Sequence, residues 1–261
     1  MEVVVVPSAE QVASLAADAV CRLLQGAPGA VLGLATGSSP LALYAELIAR
    51  HRRGEVSFAR ARAFTLDEYV GLPAGHPESY REVIRRELED HVDFGPGAVR
   101  GPDGTAADLD RACREYEQAI RAAGGVDLQV LGIGTDGHVA FNEPGSSLTS
   151  LTRPKALAQQ TRTDNARFFG GRVQEVPSLC LTQGLGTIGR AGHLVLLACG
   201  QQKAQAVAAT VEGPLSASCP ASVLQLHPHA TVLLDPAAAS ALRHRGYYDL
   251  AWANKPAGQG L

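Results

Sequence analysis

Short runs of aliphatic and β-branched residues alternate along this chain with longer stretches whose apolar positions recur at helical spacing. Residues 3–6 predict a first strand. Ser8, with Gln11 three positions on, predicts a capped helix reaching about residue 25. Residues 30–34 predict a second strand, and Pro40 suits the first turn of a helix ending near 53. A third strand is expected over 62–66 and a helix over about 78–89. A further helix over 106–123 leads into a strand at 128–133. Residues 193–198 form the next strand, followed by a helix over 201–211. A last strand at 231–234 precedes a C-terminal helix over 237–245. Such alternation implies an α/β fold, an open, mainly parallel twisted sheet with helices on both faces. Residues 144–192 are the least regular part, a candidate lid or excursion. No internal repeat, low-complexity tract or linker divides the chain, so a single domain over 1–261 is expected.

Composition narrows the partners. At 46% hydrophobic and 19% charged, the 261 residues have the balance of an ordinary globular protein. Lys+Arg 23 against Asp+Glu 26 leaves a formal net charge of -3 with no basic block, which argues against nucleic acid. No apolar run approaches the ~20 residues of a membrane helix. The start of the chain lacks the basic region and apolar stretch of a secretory signal. Five scattered cysteines never form C-x-x-C and read as reduced thiols, which points to the cytoplasm. The eight histidines include no metal spacing such as H-E-x-x-H, so no metal is expected, and His227-Pro-His229 reads as a turn.

Candidate chemistry gathers at predicted strand ends, where ligands sit in sheets of this Rossmann-like kind. After the 128–133 strand, a glycine-rich turn presents Asp136, His138 and Glu143 within eight positions. Two carboxylates beside one imidazole make a tuned proton-transfer site. A solvated surface loop would explain any one of them, but explains the three together less well. The same turn spells G-x-G-x-x-G from Gly132 to Gly137, the dinucleotide fingerprint. That reading is rejected. Asp136 would stand where pyrophosphate needs bare amides, and Asn142-Glu143-Pro144 interrupts the helix that should receive it.

Three further clusters have two readings each. Thr36-Gly37-Ser38-Ser39 offers hydroxyls and free amides at a helix N-terminus, an anion site, unless Ser39 merely caps that helix. Lys203 falls in the first helical turn after 193–198, where a cation opposes the helix dipole. A bound phosphate would reconcile its charge with its position; otherwise it is a solvated lysine. Asp67, with Glu68 and Tyr69 beside it, reads as a general base or a helix cap. Arg167, next to two phenylalanines, reads as a phosphate clamp or as packing. Tyr247, Tyr248 and Trp252 read as packing residues.

In order, Leu32-Gly-Leu-Ala-Thr-Gly-Ser-Ser-Pro40, Leu66-Asp-Glu-Tyr-Val-Gly-Leu72, His76-Pro-Glu-Ser-Tyr80, the 131–147 loop, Gly200-Gln-Gln-Lys-Ala204 and Leu224-Gln-Leu-His-Pro228 resemble the glucosamine-6-phosphate deaminase family over nearly the whole chain. The resemblance implies a cofactor-free deaminase of amino-sugar catabolism, converting glucosamine 6-phosphate to fructose 6-phosphate and ammonia. It assigns roles residue by residue. His138 would move protons during ring opening, with Asp136 and Glu143 placing opposite charge beside it. Asp67 would carry the C2 proton to C1. Ser38, Ser39, Arg167 and Lys203 would hold the 6-phosphate. Ser146, Ser147, Arg153 and Lys155 resemble a second anion site that some hexameric members use for activation by N-acetylglucosamine 6-phosphate. Pro154 and Ala156 depart from that pattern, and two exposed basic residues are an equally good reading. A homo-oligomer, a hexamer among the options, is implied as well.

Two other functions stay open. A 6-phosphogluconolactonase shares the fold and an Asp-Gly-His loop. Its pattern, however, runs on toward Ser-Leu-Phe-Pro where this chain has Phe141-Asn-Glu143-Pro, and its third strand ends Asp-Glu-Arg rather than Asp67-Glu68-Tyr69. A non-catalytic sugar-phosphate sensor would lack the full acid/base set and carry a DNA-binding segment.

Overall fold

In the computed structural model, which describes residues 1–256, 259 and 261, the chain opens with β1 (Glu2–Val5) and α1 (Ala9–Gly26). The Ser8 hydroxyl accepts from the Gln11 N–H at 3.3 Å, the cap expected from the sequence. Then come β2 (Val31–Leu34), α2 (Leu41–Arg52), β3 (Arg62–Thr65) and a short β4 (Asp67–Tyr69). Next are α3 (Tyr80–Glu87), β5 (Val99–Arg100), α4 (Leu109–Ala122) and β6 (Leu128–Leu131). Residues 144–192 contribute β7 (Arg153–Ala156), α5 (Gln159–Asn165), β8 (Leu179–Thr182) and α6 (Leu185–Ile188). The chain closes with β9 (His193–Ala198), α7 (Ala204–Val211), β10 (Ala230–Leu234) and α8 (Arg245–Ala253). No helix among the described residues is long and apolar enough to cross a membrane.

Seven strands form one sheet in the order β1-β10-β9-β6-β2-β3-β5, with every pairing parallel. Central β9 and β10 are buried at every residue, as strands covered on both faces must be. Their aliphatic side chains meet those of α1 in the main core. From β2 the chain runs outward through β3 to β5. It then returns to lay β6 on the other side of β2 and runs outward again through β9 and β10. The loops after β2 and β6 therefore part in opposite directions, and the crevice between them is where ligands bind in such sheets.

The excursion is a second layer. β4, β8 and β7 form an antiparallel three-stranded sheet. Beside it Tyr69, Phe141, Leu157, Ala166, Phe169, Val176 and Cys180 make a small core of their own. The strand β7, Arg-Pro-Lys-Ala, is half-buried and carries no apolar alternation, so its sequence shows little of its pairing.

Two expectations are corrected. Residues 237–245 are not a helix. Asp235 holds them in turns by accepting from the Ala238 and Gly200 N–H groups, which lets Ala238 and Ala239 enter the core. The last helix starts only at Arg245, after Glu212 accepts from the Arg243 and His244 N–H groups at 2.9 Å. Of the three C-terminal aromatics read as packing residues, Tyr248 and Trp252 pack on the core while Tyr247 is exposed.

Candidate active site

Four neighbouring strands, β9, β6, β2 and β3, end beneath one cleft of about 340 Å³. β2 delivers Thr36, Ser38 and Ser39, and β3 leads into Asp67. β6 delivers His138, and β9 leads to Lys203. Arg167 comes from the excursion, and all seven residues line the cleft. Pro40 occupies the cap position of α2 and no side chain caps that helix, which removes the reading of Ser39 as a cap. The end of β2 is pinned by buried Tyr44, whose hydroxyl donates to Ala35 O at 2.6 Å and accepts from Ala35 N at 3.1 Å. Lys203 ends a short 3-10 turn (Gln201–Lys203) just before α7, rather than lying inside an α-helical first turn as expected.

Asp67 is 4% exposed. Burial pushes its carboxyl well above the usual range, and the charge of Glu68 adds to this against a hydrogen bond from the Phe141 N–H. Glu68 points away, into the start of α3. It accepts from the N–H groups of Tyr69, Tyr80 and Arg81 and from the Ser79 hydroxyl, at 2.8 to 3.0 Å. A carboxylate at a helix N-terminus answers both the free amides and the dipole there. Of the adjacent acids Asp67 and Glu68, then, one caps a helix and the other faces the cleft.

On the opposite wall His138 Nδ1 lies 2.7 Å from Asp136 Oδ1 and 3.9 Å from Glu143 Oε2. Neither contact is aligned as a hydrogen bond from the ring. The Asp136 carboxylate does accept the His138 backbone N–H at 3.1 Å. Burial pushes the Asp136 carboxyl up, but the His138 ring and N–H outweigh it and hold it down at about 2. Nε2 has no protein partner among the described residues, so the ring can offer it to a ligand. Asp136 and Glu143 stand behind the imidazole rather than in the cleft lining.

Glycine is required here for space. A Cβ on Gly134 would fall 2.2 Å from His138 Cε1. Ala140, at φ 52°, sits in the left-handed region that costs a side chain about 1 kcal/mol, a strain held at the cleft wall.

The two walls are joined beneath the cleft. Thr182 lies opposite Asp67 in the β4–β8 ladder, and its hydroxyl accepts the Phe141 N–H at 3.2 Å. Asn142 Nδ2 donates to Gln183 O at 2.8 Å, and Gln183 N donates to Leu66 O at 2.7 Å. The Asp67 carboxyl and the His138 imidazole are thus fixed relative to each other by a strand from the excursion.

At the far end, burial and then repulsion from Arg167 lower the Lys203 pKa, so two cations share one corner. Asp164 and Asp136 partly offset that repulsion. A phosphate fits such a corner by charge. The imidazole end differs: the ligating atoms of Asp136, His138 and Glu143 lie within 4.8 Å of one another. At 2.7 Å, the Asp136 carboxylate oxygen is within ion-pair distance of the ring nitrogen.

Of the residues suspected of forming a second anion site, none lines the cleft. Arg153 and Lys155 share one face of β7 by their i, i+2 spacing. Ser146 is buried with an unpartnered hydroxyl, and the Ser147 hydroxyl lies 3.2 Å from that of Thr149.

A family profile described as glucosamine-6-phosphate isomerases/6-phosphogluconolactonase matches residues 7–233. The chain belongs to this family. Within the glucosamine-6-phosphate isomerase/6-phosphogluconolactonase family, it is 66% identical to a Beutenbergia cavernae protein named glucosamine-6-phosphate deaminase, over 261 residues and all of both chains. A Mycolicibacterium smegmatis protein of the same name is 62% identical, again over the whole of both chains. A solved monomeric glucosamine-6-phosphate deaminase is 41% identical and matches with a TM-score of 0.90, over 92% of this chain and 100% of that one. The 6-phosphogluconolactonase of Trypanosoma brucei matches with a TM-score of 0.75 at 20% identity, covering 92% and 98%, a likeness of fold alone.

Several residues of this family member's cleft leave no signal in the sequence. Tyr80 stands out only as part of the His76–Tyr80 resemblance segment. Thr161, Asp164 and Asn165 lie on a short helix inside the region without periodicity. No local signal marks them; only the return of the excursion over the sheet does.

Proposed function

We propose that the chain is a glucosamine-6-phosphate deaminase, converting glucosamine 6-phosphate to fructose 6-phosphate and ammonia. The observation that carries this is the meeting, in one cleft, of a buried carboxylate, an imidazole flanked by two carboxylates, and a two-cation corner. Each part answers one need of the reaction. The 6-phosphate binds Lys203 and Arg167 with the Ser38 and Ser39 hydroxyls, remote from the reacting carbons, so its binding energy orients C1 and C2. His138 exchanges protons with the ring oxygen and the anomeric hydroxyl as the ring opens. The C1 aldehyde then acidifies the C2 proton, which Asp67 removes and returns at C1. The resulting ketimine adds water at C2 and releases ammonia. These are proton transfers and hydration, which side chains alone can perform.

Identity with relatives named deaminase favours this reading over the lactonase, whose solved examples match below 25%. A sensor needs no buried base aimed into the cleft. The test is ammonia and fructose 6-phosphate formed in equal amounts from glucosamine 6-phosphate. Hydrolysis of 6-phosphogluconolactone without ammonia release reverses the choice.

Three finer points belong to the proposal. The enzyme works in the cytoplasm, in keeping with five free cysteines. Arg153 and Lys155 form part of an activating anion site for N-acetylglucosamine 6-phosphate, supported by their shared face on β7. A rate curve unaltered by that compound at any concentration removes the site. The chain assembles with its own copies, and light scattering that returns the mass of a single chain removes the oligomer.

A further inference from the structure

Thr161 lies on α5, four residues before Asn165 and six before Arg167. Its hydroxyl donates to Glu143 Oε1 at 2.6 Å, and the Ala158 N–H donates to the same oxygen at 3.2 Å. Thr161 and Glu143 are both buried, and Thr161 also lines the cleft. The other carboxylate oxygen, Oε2, is buried with no hydrogen-bond partner, 3.9 Å from His138 Nδ1. That nitrogen is equally without an aligned partner. One turn along α5, Asn165 Nδ2 donates to Tyr69 Oη at 2.9 Å, on the strand that also carries Asp67. A single short helix therefore touches the acid/base wall at Thr161, the base strand at Asn165 and the cationic corner through Arg167.

At 3.9 Å, Glu143 Oε2 and His138 Nδ1 stand just outside hydrogen-bond reach, and a shift of about 1 Å closes the gap. Glu143 Oε1 is held from the start of α5, and Arg167, just beyond α5, lines the cleft with its guanidinium 4.7 Å from the Phe168 ring centroid. We propose that Thr161 is a positioning residue that couples a phosphate at Lys203 and Arg167 to proton transfer at His138, by carrying Glu143 with α5. The inference rests on the deaminase reading and adds to it: the phosphate would assemble the acid/base pair as well as hold the sugar.

The test divides the substrate in two. Glucosamine supplies the reacting carbons and inorganic phosphate supplies the anion. In the unaltered enzyme, inorganic phosphate should raise ammonia release from glucosamine about tenfold or more. Thr161→Ser, which keeps the hydroxyl, should retain that stimulation, and Thr161→Val should lose it. With glucosamine 6-phosphate, Thr161→Val should lower kcat about tenfold or more while KM stays within about twofold. Hydrogen exchange supplies a readout free of turnover. Phosphate should slow exchange across residues 157–165 in the unaltered enzyme and in Thr161→Ser, but not in Thr161→Val. Full stimulation or full protection in Thr161→Val overturns the coupling, as does an unaltered enzyme indifferent to phosphate. Failure of Thr161→Ser to restore what Thr161→Val loses overturns it too. Absence of ammonia release from glucosamine 6-phosphate by the unaltered enzyme would instead refute the deaminase reading, and the exchange arm would still decide the coupling.

Discussion

Asp67→Asn separates a catalytic carboxylate from a structural one, because the structure predicts opposite signs for activity and stability. Asn keeps the size of the side chain and an oxygen to accept the Phe141 N–H, but cannot take the C2 proton. A positioned general base contributes about 100- to 10,000-fold, or roughly 3 to 5 kcal/mol of barrier. Turnover should fall by that factor. Ser38, Ser39, Arg167 and Lys203 are untouched, so phosphate binding should persist. Stability should move the other way. Asp67 is 4% exposed and pairs with no cation among the described residues, and burial followed by the Glu68 charge raises its pKa. A carboxyl whose folded pKa lies above its unfolded value of about 3.9 binds protons more readily in the fold. Its cost to stability is absent below the unfolded pKa and fully present above the folded one. Asp67→Asn should therefore melt at a higher temperature than the unaltered enzyme at neutral pH, and the advantage should fade on acidification. A coupled assay of ammonia and fructose 6-phosphate, run beside thermal unfolding at neutral and mildly acidic pH, reads both signs. Near-normal turnover refutes the assignment. A joint fall of activity and melting temperature makes Asp67 a structural residue instead.

Other consequences can be measured with the same tools. Lys203→Ala removes a charged contact to phosphate worth about 1.5–3 kcal/mol, so KM should rise roughly 10- to 150-fold, and an unchanged KM counts against the phosphate corner. Gly134→Ala drives a Cβ to 2.2 Å from the His138 ring and should cut kcat about 100-fold through misplacement, with substrate binding largely kept; undiminished turnover would show that the ring position does not matter. His193 stacks on His229 with ring centroids 3.6 Å apart, and burial followed by the charges of His229 and His227 lowers its pKa to about 4. Because the unfolded imidazole titrates near ~6.5, its contribution is complete above that pH and is lost as pH falls toward about 4. His193→Gln should flatten the fall of melting temperature across that window, and an identical slope would exclude His193 as its source.

The loops that line the cleft were legible because their signals are local. Aliphatic runs locate the six longer strands of the main sheet to within two residues, and polar residues crowded after such runs mark its ligand-binding edge. Asp67 and His138 could be picked out this way. The C-terminal region misled, because an alanine-rich run has high helix propensity. Contacts of Asp235 and Glu212, made across the fold, decide its actual path. β5 has only two residues and β7 has no alternation, so neither leaves a pattern to find.

What the amino acids determined by themselves was the layered architecture and the chemical type of each loop, since periodicity and residue type act over a few neighbouring positions. Tertiary structure alone decided how those groups divide the work. Asp67 and Glu68 are adjacent acids, and only the approach of α3 turns one into a helix cap and leaves the other buried and facing the cleft. Glu143 likewise owes one oxygen's partners to Thr161 and Ala158, residues of an excursion that no local pattern places. Proton affinity and orientation depend on burial and on charges brought close through space, and those distances exist only once the chain has closed on itself.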